Sequence, residues 1–140
     1  MITADHGQIN TEPSKVIFIQ EKYPEIYDML TLPLCGEPRV AYCYVRPSQK
    51  QAFVKYVKTN LNYCCSIYAS QKLIDKNYFG LFQPNPKLKD RIGDYVLIMK
   101  DNYIIKDFLV NQEKKHDIGN HGGLSHQEMY VPLIVYSNKV

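Results

Sequence analysis

Two short segments near opposite ends of the sequence hold the residue types that bind divalent cations. Thr3-Ala4-Asp5-His6-Gly7-Gln8 lies at one end, and Gly119-Asn120-His121-Gly122-Gly123-Leu124-Ser125 lies toward the other. A carboxylate and an imidazole are ordinary oxygen and nitrogen ligands of zinc and related ions. In each segment the histidine stands directly before glycine, beside small residues that leave the ring accessible. His6 and His121 are 115 residues apart, so only the fold can bring them together. Asp5, His6 and His121 are the candidate metal ligands. No catalytic residue and no site for an organic cofactor is identified.

Each segment taken alone has a plainer reading. Asp5-His6-Gly7 fits a turn whose aspartate caps neighbouring amides, and His121 fits a glycine turn bonded to backbone carbonyls. The surroundings favour chemistry. Ile2-Thr3-Ala4 reads as the end of a buried strand, and Gly7 lets the backbone turn sharply away from the two side chains. Strand ends of this kind are where α/β proteins place their ligands. Ser125-His126-Gln127-Glu128 matches a capping box, which starts a helix just after His121. Its first amides favour negative charge, such as a metal-bound phosphate. The three glycines beside His121 would allow close backbone approach to such a ligand. His116 in its charged loop and His126 early in the helix both read as solvated. Arg39 and Arg91 are candidate phosphate contacts, although Arg91 with Asp94 reads more simply as an ion pair at a turn.

The elements that must position these residues alternate between extended and helical patterns. Val16-Ile17-Phe18-Ile19 has strand composition, and Pro24 to Leu30 suits a short helix. Arg39 to Val45 reads as a strand. Ser48-x-x-Gln51 matches a second capping box. Phe53, Val54, Tyr56, Val57 and Leu61 follow at helical spacing, which predicts an amphipathic helix to about Asn60. Cys64 to Tyr68 should be a strand, with Ser70 capping a short helix through Ile74. This β-α-β-α pattern, at about residues 36–80, reads as an inserted α/β unit within one domain of residues 1–140. Phe79 to Pro86 is a loop and Arg91 to Asp94 a turn. Tyr95 to Met99 is a strand, and Lys100-Asp101-Asn102 suggests a hairpin to Tyr103-Ile104-Ile105. Asn111 to Asp117 is polar and expected as an exposed loop. Leu133 to Tyr136 is a final apolar strand.

Bulk properties narrow the class. A chain of 140 residues, 45% hydrophobic and 22% charged, is globular and long enough for a real core. The net charge of +3 is scattered, which argues against a nucleic-acid polymer as partner. No apolar run reaches the ~20 residues of a membrane span, and no secretory leader is visible. The four cysteines form no C-x-x-C spacing and read as reduced thiols, which points to the cytoplasm.

The two histidine motifs together resemble a known family. Thr3 to Gln8, with His121-Gly122-Gly123-Leu124-Ser125-x-x-Glu128-Met129-x-Val131-Pro132-Leu133-Ile134, is similar to the type I phosphodiesterase and nucleotide pyrophosphatase branch of the alkaline phosphatase superfamily. Gly36-Glu37-Pro38-Arg39 and Arg91-Ile92-Gly93-Asp94 look like elements between those motifs. The resemblance implies a partial alkaline-phosphatase-like α/β fold, with the inserted unit followed by strands of a main sheet. It implies two metal ions, commonly zinc, with Asp5 and His6 on one and His121 on the other. Two such ions stabilise the attacking and leaving oxygens of phosphoryl transfer. The family attacks phosphorus with an activated Thr or Ser, through a covalent intermediate that water hydrolyses. In the family that nucleophile precedes the Asp-His-Gly motif, and none of Thr3, Thr11 and Ser125 matches it. The chain therefore reads as the C-terminal portion of a longer catalytic domain, inactive alone, with a phosphodiester or nucleotide as the parent's substrate. Its main-sheet strands would have exposed edges, for which a homodimer is the expected remedy. The alternatives are a non-catalytic binding or structural domain, or part of a sulfatase or phosphomutase.

Overall fold

Short extended and helical stretches alternate along the chain, as the sequence pattern leads one to expect. The computed structural model describes residues 1–109, 111 and 113–137. Gln112, inside the polar stretch expected as a loop, lies outside the described residues. The first third holds β1 (Ile2–Thr3), β2 (Ile9–Asn10), β3 (Val16–Phe18), α1 (Ile19–Lys22), α2 (Pro24–Met29) and β4 (Cys35–Glu37). The middle holds β5 (Val40–Cys43), α3 (Lys50–Asn60), β6 (Cys65–Ala69), α4 (Ser70–Asp75) and α5 (Leu88–Arg91). Then come β7 (Tyr95–Met99), β8 (Ile104–Lys106), β9 (Gly119–Asn120), α6 (His126–Met129) and β10 (Leu133–Ile134).

One four-stranded sheet carries the core. Its order is β4-β5-β7-β6, with every neighbouring pair antiparallel. Strands β5 and β6 therefore run parallel to each other, joined by α3, with β7 inserted between them. The near-continuous apolar run of β7 suits that central place, where Val96 and Leu97 are fully buried. Helix α3 lays Phe53 and Val57, with Leu61 just past its end, on Ala41, Cys43 and Leu97. The four-residue spacing of these side chains puts them on one stripe. Ile26 of α2 and Ile17 of β3 close the same core.

Three two-stranded pairings surround it: β1 with β10 antiparallel, β2 with β9 antiparallel, and β3 with β8 parallel. Several expectations are corrected here. Lys100–Asn102 does not make a hairpin: Asp101 adopts a left-handed φ of 43°, and β8 leaves β7 to pair with β3. Ser48 caps nothing, because Pro47–Gln49 forms a 3-10 turn and α3 begins after Gln49 without a side-chain cap. Ile2 is not buried but 66% exposed, and the closing segment at Leu133–Tyr136 is exposed as well. Apolar composition marks a surface that suits burial without saying what covers it. All four cysteines are free. Among the described residues no helix is long and apolar enough to cross a membrane.

Candidate metal centre

Two backbone pairings carry the histidines to one place. Strand β2 pairs with β9 so that Ile9 faces Asn120, which sets His6 and His121 at the same end of that ribbon. The Gly7 N–H then donates to the Glu128 carbonyl at 2.9 Å. Gly7 serves this contact rather than a turn: a Cβ there would stand 1.8 Å from the Gln127 carbonyl oxygen. Only glycine lets the Asp-His-Gly segment lie against α6. The result is a direct stack of His6 on His121, ring centroids 4.0 Å apart and planes 18° from parallel.

Asp5 sits beside the stack. Its carboxylate accepts the His6 backbone N–H at 3.0 Å, and its other oxygen is 3.5 Å from His6 Nε2. Hydrogen bonding from its own backbone amide, then from that of His6, holds the Asp5 carboxyl below its ordinary value and keeps it ionised. His6 Nδ1 lies 2.9 Å from the Gly7 carbonyl, which accepts but cannot donate. In the neutral ring the proton is therefore on Nδ1, which leaves the unprotonated Nε2 3.5 Å from a carboxylate oxygen. Two acceptors face each other at 3.5 Å, an arrangement that a second ring proton or a cation would satisfy.

The separation itself fits a cation. Two ligands at ~2.0–2.1 Å from a tetrahedral zinc stand about 3.4 Å apart. The His6 and His121 rings lie near parallel with centroids 4.0 Å apart. Among the described residues, no three His, Cys, Asp or Glu side chains close on a single ion. Asp5 Oδ2 and His6 Nε2 are near enough to share one cation, which would need further donors, and the His121 ring stands beside them.

Behind the histidines lies a feature that sequence reading missed. Arg39, at the turn between β4 and β5, is fully buried and makes a two-pronged ion pair with Glu128: Nε to Oε1 at 3.0 Å and Nη2 to Oε2 at 2.9 Å. Its Nη1 donates to the Tyr103 carbonyl at 2.6 Å. The Glu128 carboxylate also accepts from Gly123 N at 2.8 Å, from Ser125 Oγ at 2.7 Å and from the Ser125 backbone N–H at 3.3 Å, the last being its part of the capping box. Burial pushes the Glu128 carboxyl up, but the Arg39 hydrogen bonds, with those of Ser125 and Gly123, outweigh it and bring it to about 2. Gly123 is packed so closely on this pair that a Cβ would meet both Glu128 oxygens within 2.7 Å.

These contacts correct three expectations. Arg39 is not free for phosphate, since its fork is consumed by Glu128. The amides at the start of α6 receive a protein carboxylate, leaving Gly123 closed against it rather than open to a ligand. Asp94 does not pair with Arg91: it bridges to Lys50 at 2.6 Å and accepts the Val45 N–H at 2.9 Å. His116 and His126 are exposed, the latter stacked on Tyr130. The capping-box spacing pointed to Glu128, but nothing local ties it to a residue 89 positions earlier.

The fold of this chain has counterparts among solved structures. Murine ectonucleotide pyrophosphatase/phosphodiesterase 5 superposes with a TM-score of 0.66 at 16% identity, over 92% of this chain and 31% of that one. The human protein of the same name gives 0.62 at 19% identity, over 91% of this chain and 30% of that one. Phosphonoacetate hydrolase from Sinorhizobium meliloti 1021, in complex with phosphonoformate, gives 0.56 at 21% identity, over 92% and 33%. The chain has the fold of part of these proteins and spans about a third of their length. No family profile and no curated protein sequence matches it.

Proposed function

We propose that this chain supplies Asp5 and His6 to one divalent cation and His121 to a second, in a centre that hydrolyses phosphate diesters or nucleotide pyrophosphate bonds. The observation that carries the reading is the His6–His121 stack, which joins the two sequence motifs with Asp5 alongside. The fold shared with pyrophosphatase/phosphodiesterase 5 supports it. When bound, zinc ions at these positions would offset charge on the attacking and leaving oxygens. The chain's own part is narrower. Asp5 holds a negative charge at the surface, the Gly7 carbonyl fixes the His6 tautomer, and the stack keeps both imidazoles side by side. The substrate class is a small phosphodiester or nucleotide; the modest, scattered positive charge offers no track for a polymer. Alone, this chain is expected to take up metal without turning over substrate, since the resemblance assigns the attacking hydroxyl to residues outside it.

Cobalt titration, followed by histidine proton resonances, tests the reading together with turnover of a chromogenic phosphodiester. The expected result is joint perturbation of His6 and His121 signals, weakened by Asp5→Asn and His121→Ala, with no turnover. Binding unaltered by both substitutions would sink the ligand assignment. Hydrolysis by this chain alone would overturn the account of the missing hydroxyl.

A further inference from the structure

One residue touches both histidine loops. The Glu128 backbone carbonyl accepts the N–H of Gly7, next to His6, at 2.9 Å. Its side-chain carboxylate accepts the N–H of Gly123, two residues after His121, at 2.8 Å. Glu128 is held by Ser125 from its own helix and by the Arg39 fork from the β4–β5 turn. Both Arg39 and Glu128 side chains are 1% exposed, so neither charge has water to fall back on. Glu128 reaches the two histidine loops through the backbone amides of Gly7 and Gly123.

We propose that Glu128, with Arg39 as its counter-charge, is the positioning residue that sets the spacing of His6 against His121, and so the distance between the two ligand halves. The glycines on either side are built for it. A Cβ at Gly7 would collide with the Gln127 carbonyl, and one at Gly123 would collide with the Glu128 carboxylate and with Arg39 Nε at 2.9 Å. Gly122, at φ +90°, makes the bend that turns the Gly123 N–H inward. The buried charge bridge also gives the four-stranded sheet a hold on the histidines, since Arg39 leads directly into β5. A ligand or partner that displaced the β4–β5 turn would act on the stack through this pair. The role in metal spacing rests on the reading above; the role in forming the stack does not.

The test is made on the metal-free chain first. Stacked imidazoles shift each other's ring protons, so the His6 and His121 Cε1–H resonances report the stack directly. In Glu128→Ala these signals are expected to move to the positions of free imidazole while methyl resonances of Val96 and Leu97 stay in place. If that variant fails to fold, the double substitution Arg39→Met with Glu128→Met removes both buried charges together and serves instead. Glu128→Gln, which keeps an oxygen for Gly123, is expected to restore most of the stack signature. Cobalt affinity should fall about 10–100-fold in Glu128→Ala, the usual effect of removing a group that orients ligands. A folded variant with unmoved histidine signals and unchanged cobalt affinity would overturn the proposal. If the unaltered chain takes up no cobalt, yet the stack signature still disappears in Glu128→Ala, the two-ion reading fails and the positioning role stands.

Discussion

Around α3 and the four-stranded sheet the chain is held by apolar packing, with Phe53, Val57, Leu61 and Leu97 enclosed. Around His6 and His121 it is held by two-residue strands, backbone hydrogen bonds and one buried ion pair. The first region meets the ordinary requirement of a domain, a shared core under a sheet. The second keeps polar groups where water is excluded and leaves Ile2, Leu133, Val135 and Tyr136 in solvent, Tyr136 at 81% exposure. Packing without direction suffices to make a scaffold. Placing two imidazoles in register takes directional bonds, and those need buried charge to be satisfied in full.

Substitutions separate the two regimes. Phe53→Ala should give the largest effect, about 3–5 kcal/mol of global destabilisation in denaturant melts, because it opens a cavity under the sheet. Arg39→Ala should follow at about 3–5 kcal/mol, since it strands a buried carboxylate. Its loss should fall first on the histidine end, read by faster amide exchange at Gly7 and Gly123 than at β7. Equal exchange throughout would mean that the two regions are one cooperative unit.

Acid should act on the same divide. Glu128 titrates at about 2 in the fold against an ordinary 4.5, so its contribution is present above pH ~4.5 and lost as pH falls toward 2. Exchange at Gly123 is expected to rise through that window, and the Arg39→Met, Glu128→Met pair should abolish the acid step. A smaller effect is expected at the exposed ribbon. If β1 and β10 pair with a second copy, Ile134→Lys should leave folding within about 0.5 kcal/mol and shift light-scattering mass toward monomer. Smallest of all in stability is Asp5→Asn, whose side chain is 86% exposed. It should leave the melting midpoint in place while weakening cobalt uptake.

Local signals were readable in the residues. The apolar run at Tyr95–Met99 is a strand over those five residues, α3 ends at Asn60, and the Ser125/Glu128 capping box forms. Each depends on neighbours within a few positions. The pairing of β8 with β3 was not readable, because a turn signal at Lys100–Asn102 says that the chain bends and not which strand it joins. Arg39 looked like a phosphate ligand because a lone arginine carries no mark of its partner. The histidine pair was legible only as two motifs; their contact rests on glycines whose role is close approach, which spacing does not reveal.

The Arg39–Glu128 bond joins residues 89 apart. At a synthesis rate of ~5–20 residues per second, Glu128 leaves the ribosome roughly 4–18 s after Arg39. The β4–β5 turn is therefore made with its guanidinium still in water, and the sheet can gather while that charge waits. Only when residue 128 arrives can the guanidinium be enclosed and the loops of His6 and His121 drawn together. The ion pair works as a clock as well as a clamp: His6 and His121 stay apart in the nascent chain, and their stack assembles last.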